Sequence, residues 1–218
     1  LTAVYGLAEG IRRRLPAIES AVDGELYADV AEYTETILME CRRCRDIVRS
    51  MLSFSRPHTL AFSPVCLNEV VTDTLNILKS RLEERSCAGL HLTVNLHMGL
   101  PTVPGDEAQL KQVLLNILVN AMDAIEAEGE ITITTHPEND NTVNLSVEDT
   151  GRGIQPENMD KLFNPFFTTK PVGKGLGIGL STCYSIVREH HGVIEVASEV
   201  GIGTHFTVKL PLDSGHPQ

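Results

Sequence analysis

The sequence predicts an α+β protein: a helical hairpin forming a dimeric four-helix bundle, followed by an α/β sandwich with helices over a mixed sheet. Three observations predict it. Apolar residues recur at steps of three and four through residues 1–55. Beyond residue 62, helical periodicity is interleaved with strict two-residue alternation, as at Val143, Leu145 and Val147. Between strand and helix signals lies a glycine-dense stretch, 147–180, reading VEDTGRGIQPENMDKLFNPFFTTKPVGKGLGIGL.

The hairpin comes first. Val4, Ala8, Ile11, Leu15, Ile18 and Val22 predict a helix over 1–22, bent at Pro16, which removes one intrahelical bond. Asp23-Gly24 marks the turn. Val30, Thr34, Ile37, Cys41, Cys44, Val48, Met51 and Ser55 then form a heptad seam over 27–55. Tyr33, Leu38, Ile47 and Leu52 widen the stripe beyond what one hairpin can bury, and a homodimer through residues 1–55 is the expected solution. Cys41-Arg-Arg-Cys44 has the spacing of a redox or metal pair, and the flanking arginines favour thiolates. Both cysteines fall on the seam, however, and core packing is the expectation.

Residues 56–63 read as a linker, Pro57 stopping the helix. Residues 65–67 suggest a short strand, and Asn68 caps a helix to about Arg85 through Val71, Leu75, Leu78 and Leu82. Residues 90–96 alternate as a strand, and 101–105 form a loop. Asp106 then caps a helix to Glu126. Residues 131–135 and 142–147 pair as strands across a polar loop, 136–141. A helix to about His190, a turn at Gly192, and strands 193–197 and 204–210 close the domain, and 213–218 form a frayed tail.

Composition limits the function. The 218 residues carry a net charge of −11, which disfavours a nucleic-acid surface. Residues 1–60 hold 8 basic and 9 acidic groups, so the acidity belongs to the second part. Five cysteines with no secretory signal favour a reducing, cytoplasmic setting, and no run of about 18 apolar residues is present to span a membrane.

The chemistry gathers in three places. Asp149 ends a strand with its carboxylate toward the cleft, and a carboxylate accepts from the amino group of adenine. Gly151 and Gly153 let the backbone approach a flat ring; the competing reading is an Asp that caps its own turn. Gly175, Leu176, Gly177, Ile178, Gly179 and Leu180 open a helix whose free N–H groups suit an anion. Asn116 and Asn120 share one face of an otherwise apolar helix, where unpaired amides cost desolvation and suggest a polar ligand. An acidic domain binding an anionic nucleotide needs backbone N–H groups, placed cations such as Lys170 or Lys174, and a divalent metal.

NILVNAMDAI, DTGRGI, NPFFTTK, GKGLGIGL and GIGTHF resemble, in order, the five boxes of the catalytic ATP-binding domain of sensor histidine kinases. The resemblance covers nearly the whole chain and is nearest the nitrogen-regulator branch. It implies an ATPase fold shared with chaperones and topoisomerases, ATP and Mg²⁺ as ligands, and three segments: a dimerisation hairpin at 1–57, the catalytic domain at 62–212 and the tail. It implies that Asn120 binds the metal and Asn116 lines the pocket. Asp149 would read adenine with Thr204 supporting it, Gly151 and Gly153 would form the turn beneath the base, and Ile154 would be among the ATP-binding residues. Phe166 and Phe167 would belong to the lid, and Gly175, Gly177 and Gly179 to the phosphate side. Leu176 replaces a frequent Thr, and Asp123 stands where several relatives carry a cation, which leaves more of the charge to the lid lysines.

The family phosphorylates a His in an H-E/D-x-x-N/T-P box and passes the phosphate to an Asp on a response-regulator receiver domain. The opening LTAVYGLAEG resembles the segment immediately downstream of that box, so the resemblance implies a chain cut just after it. None of the eight histidines (His58, His91, His97, His136, His190, His191, His205, His216) is followed by an acid and a Pro at that spacing; surface or loop positions are expected for most of them. A kinase core is the expectation. A non-catalytic nucleotide-binding dimeric module is the alternative, and a chaperone-like or topoisomerase-like hydrolase a third.

Overall fold

The computed structural model describes residues 2–17, 19, 23–55, 62–170 and 175–212, the side chains of residues 2 and 42–55 excepted. These fall into two compact units, one within 1–57 and one within 58–170 and 175–218. The expected helical positions Ile18 and Val22, the linker at 56–61, Lys174, the tail, and the seam side chains from Cys44 onward lie outside the described residues.

In the first unit, α1 (Thr2–Arg14) gives way to a 3-10 turn at Leu15–Ala17, and α2 spans Gly24–Ser55. Pro16 thus ends the helix rather than bending it, because its ring displaces the carbonyl one turn back and it offers no N–H. The two helices pack together, burying Ala8, Leu15, Thr34, Leu38 and Cys41. The buried line on α2 runs through Leu38 rather than the expected Ile37, which stays 42 % exposed. One neighbour covers only one side of so wide a stripe. Val4, Leu7, Ile11, Tyr33 and Met39 are exposed with Ile37.

The second unit is built from β1 (Ser63–Val65), α3 (Leu67–Cys87), β2 (Leu90–Leu96), β3 (Val103–Gly105) and α4 (Glu107–Ala124). It continues with β4 (Gly129–Asn139), β5 (Thr142–Asp149), the short α5 (Pro156–Met159), α6 (Gly179–Glu189), β6 (Val193–Glu199) and β7 (Gly203–Pro211). Five strands form one sheet in the order β2-β4-β5-β7-β6, while β1 and β3 pair as a separate ribbon. Only β2 and β4 run parallel within the large sheet, so it is mixed, as expected. α3, α4 and α6 pack side by side on it, and Ile133, Val147, Phe206 and Val196 form one cross-strand row of the shared core. No helix among the described residues is long and apolar enough to cross a membrane.

Several local expectations are corrected. The strand expected at 65–67 lies at Ser63–Val65, and the supposed loop 101–105 supplies its partner, with Pro64 opposite Pro104. A two-stranded ribbon tolerates proline because its outer N–H positions need no partner. Asn68 is not a cap: Cys66 holds that position, and Asn68 donates to the His97 carbonyl (3.0 Å) and accepts from the Thr135 hydroxyl (2.7 Å). Most of the polar loop 136–141 is paired strand with a bulge between Pro137 and Asn139. His190 is buried, not superficial.

Candidate nucleotide site

Asp149 is placed by the period of β5. Val143, Leu145 and Val147 face the helices and are buried, and Asp149 is the next residue of that alternation, 4 % exposed. Its cross-strand neighbours are Ile131 and Thr204, and Thr204 in turn faces Ser198 on β6. Asp149 Oδ1 accepts from the Gly151 N–H at 2.8 Å. Burial pushes its carboxyl above the ordinary range, opposed by hydrogen bonds from the backbone N–H groups of Gly151 and Thr204. The expected support from Thr204 therefore comes through its backbone; its hydroxyl instead lies 3.0 Å from Ser198 Oγ.

Ser198 holds the turn after Asp149. Its hydroxyl donates to the Gly203 carbonyl (2.8 Å) and accepts from the Ile154 N–H (2.9 Å), fastening the turn to the β6–β7 corner. Gly153 has φ +68°, and a Cβ there would strike the Glu199 carbonyl, so this position requires glycine. At Gly151 a Cβ would come within 2.7 Å of Ala124 on α4. The Arg152 N–H donates to the Ala124 carbonyl (3.1 Å), so the same turn is tied to the helix that carries the asparagines.

That helix begins with Asp106, whose carboxylate accepts from the N–H groups of Ala108 and Gln109. Its apolar face, Leu110, Val113, Leu114, Ile117, Leu118 and Ala121, is buried on the sheet. Asn116, Asn120 and Asp123 lie off that face and are half-buried. Asn116 donates through Nδ2 to the Gly179 carbonyl (3.2 Å), joining α4 to the first residue of α6. Beside them, the Cys183 thiol is fully buried and is pushed up to about 12 by that burial.

Lys170 reaches Asn120 and Asp123 of α4. Lys170 Nζ donates to Asn120 Oδ1 (2.9 Å) and to Asp123 Oδ2 (2.8 Å), while Arg81 of α3 donates to Asp123 Oδ1 (2.6 Å). Phe166, at φ +68° and exposed, donates its N–H to the Gly177 carbonyl at 2.9 Å. Gly177 is also left-handed (φ +66°), and a Cβ there would strike the backbone of Phe166 and Phe167. Phe167 is half-buried, and Phe163 stacks at 5.4 Å on Tyr184 of α6. Ile178 is buried, with its carbonyl accepting from Ser181 and Thr182, and Gly175, Leu176, Gly179 and Leu180 are half-buried around it.

The structure ties Asn116 of α4 to Gly179, Asn120 and Asp123 of α4 to Lys170, and the turn Asp149–Gly151 to Ala124 of α4; Gly153, Ile154 and Thr204 adjoin Glu199 and Ser198 at the β6–β7 corner, Gly177 meets Phe166 and Phe167, and Lys174 lies outside the described residues. Sequence reasoning missed Ser198 and Arg81. Arg81 carried one signal: Arg85 stands four residues later on the same face, and it donates to the Met122 and Ile125 carbonyls at the end of α4.

A mixed sheet covered by helices, with an Asp-Gly turn and two half-buried asparagines on α4, is the arrangement of an ATPase-type catalytic domain, and the family match agrees. The sequence profile described as Histidine kinase-, DNA gyrase B-, and HSP90-like ATPase matches residues 105–214. The chain is 38 % identical over 216 residues to the signal transduction histidine-protein kinase AtoS of Escherichia coli K12, covering 95 % of this chain and 34 % of that protein. It is 34 % identical to the sensor histidine kinase ZraS of Klebsiella oxytoca, covering 98 % of this chain and 43 % of that one. Among solved structures, the histidine kinase ThkA in complex with the response regulator protein TrrA superposes with a TM-score of 0.70 at 26 % identity, over all of this chain and 69 % of that one. The chain belongs to the sensor histidine kinases. It spans well under half the length of these two curated relatives.

Proposed function

We propose that the chain is the nucleotide-binding core of a two-component kinase. It binds ATP with Mg²⁺, and in the intact protein it delivers the γ-phosphate to a histidine and thence to an aspartate of a receiver domain. The observation that carries this reading is the placement of Asp149 at the buried end of β5, with its turn and the lid both fastened to α4. Relatedness to AtoS and ZraS supports the kinase class, and the partner in the ThkA structure supports a receiver domain as acceptor.

The donor set fits a divalent metal, since Asn120 Oδ1 and Asp123 Oδ2 already converge on one cation, the Lys170 ammonium. Bound with the triphosphate, magnesium would neutralise charge at the reacting phosphoryl group, and Asn120 would hold it. The chain's own residues do the rest. Asp149 accepts from the adenine amino group while Gly151 and Gly153 bring the backbone under the base. The glycine-rich start of α6 offers N–H groups to phosphate oxygens, and Lys170 adds a cation. Asn116, an amide, cannot take a proton from water near neutral pH, so the site positions phosphate for transfer rather than hydrolysing it. None of the eight histidines stands in an acceptor box, and none of them is proposed as the phosphate acceptor. The exposed apolar residues of α1 and α2 support a dimer through 1–55, completing a four-helix bundle.

The test is calorimetry with MgATP followed by incubation with γ-labelled ATP. Micromolar-range binding, slow phosphate release and no label on the chain alone are expected. Label should appear on the histidine of an added longer relative that carries the box. Absence of ATP binding refutes the reading, and fast phosphate release refutes the role given to Asn116.

A further inference from the structure

The contacts around Asp123 go beyond a surface ion pair. Asn120 and Asp123 are three residues apart on α4, so their oxygens project side by side, and both reach one nitrogen, Lys170 Nζ, at 2.9 and 2.8 Å. The second oxygen of Asp123 is held from the opposite direction by Arg81 at 2.6 Å, which fixes the carboxylate's rotation. Neither Arg81 nor Asp123 is fully exposed, at 44 % and 30 % of the side chain, and Lys170 is covered further, at 22 %. An amide oxygen and a carboxylate oxygen converging on one compact cation are hard-oxygen ligands of the kind magnesium takes. Among the described residues no cluster of three or more His, Cys, Asp or Glu offers a rival metal site.

We propose that Asn120 and Asp123 together form a single-cation seat that Lys170 and the nucleotide's divalent metal occupy in turn. The metal takes the two oxygens, and Lys170, released from them, moves its charge to the triphosphate. Arg81 stays on Asp123 and keeps the carboxylate aimed. The inference rests on the nucleotide-binding reading above and assigns the metal a second protein ligand beside Asn120. It also explains how a carboxylate is tolerated beside phosphates: it repels the bare nucleotide and attracts the metal-loaded one. Metal binding and the position of the Lys170 ammonium are thereby linked, since one seat cannot hold both cations.

The sign of two effects tests it. Binding of a non-hydrolysable ATP analogue, the imidodiphosphate, is measured by calorimetry in EDTA and in Mg²⁺, and bound Mn²⁺ is counted by electron paramagnetic resonance. For Asp123→Asn the seat predicts analogue binding in EDTA equal to or tighter than wild type. The gain on adding Mg²⁺ should shrink about ten-fold, and Mn²⁺ should be held correspondingly more weakly. Lys170→Met should do the reverse, losing affinity in EDTA and showing a larger gain from metal. Asp123→Glu keeps the carboxylate and should retain part of the gain; Asp123→Ser replaces the Asn variant should that one fail to fold, as judged by thermal melting. A wild-type metal gain in Asp123→Asn or Asp123→Ser overturns the seat while leaving nucleotide binding standing. No analogue binding by the wild type overturns both.

Discussion

His190 at the end of α6 accepts a hydrogen bond through Nε2 from the backbone N–H of Asp106, the cap of α4, at 2.9 Å. Its Nδ1 lies 2.8 Å from the Ile186 carbonyl, which can only accept, so Nδ1 carries the proton and the ring is neutral. Burial lowers its pKa below the ordinary 6.5, although the Ile186 carbonyl and the charges of Asp106 and Glu189 act the other way. The unfolded chain therefore binds the proton more readily, and the stability this ring contributes is complete above about pH 6.5 and is lost as pH falls through the folded value. His190→Gln should lose about 1–3 kcal/mol at pH 7.5 and show a flatter decline on acidification. Denaturant midpoints between pH 7.5 and 5 measure both; an undiminished pH slope in the variant contradicts the assignment.

Asp149→Asn should separate binding from stability. A buried carboxyl pushed upward is costly when ionised, so its contribution to stability is lost as pH rises through the raised value. The amide variant should melt at the same or a higher temperature at pH 7 while losing ATP by about 1–3 kcal/mol, since it turns a donor toward the adenine amino group. Equal ATP affinity in the two proteins would remove Asp149 from the pocket.

Gly177→Ala forces a side chain into left-handed backbone and against the Phe166–Phe167 peptide. The expected result is a displaced lid, with nucleotide affinity down about ten-fold. Melting should change little, because the core row behind it is untouched.

Cys183 should resist thiol reagents. A thiol pushed up to about 12 and buried forms almost no thiolate at pH 7.5, whereas Cys87 is exposed. Mass spectrometry after brief alkylation should find Cys87 modified and Cys183 intact, and nucleotide should not alter the Cys183 result.

Replacing Ile11 and Ile37 with Glu should give monomers by light scattering while nucleotide binding persists. Both are exposed on the hairpin, and each would place a charge in the bundle proposed for residues 1–55. A monomeric wild type contradicts that bundle.

Much of the architecture was legible because local signals coincided. Asp106 is followed by unbroken helical periodicity, and α4 starts one residue later. The alternation through Val143 to Val147 put Asp149 on the covered face. Of the two readings of that aspartate, the turn cap is met by the Gly151 N–H, and the buried strand end is the position from which we propose that it reads adenine. Asn68 misled because a side chain suited to capping found stronger partners just past β2, at His97, and on β4, at Thr135, both distant in sequence. The Arg81–Asp123 pair spans 42 positions, and Ser198 works through backbone groups of Ile154 and Gly203. No pattern of residue types announces such partnerships.

The parallel pairing of β2 with β4 sets the order in which the domain can assemble and open. α4 lies in the crossover between these strands, so that pairing closes a loop enclosing the asparagine helix. Such non-local closure is slow, and β2 is an edge strand held on one side only. Fraying should therefore begin at β2 and loosen the seat of α4 while β5 and β7 remain paired. Amide exchange would show it as a low-energy opening of residues 90–96 and 107–124 together. Bound nucleotide, gripping α4 and β5 at once, would slow that opening in proportion to its occupancy.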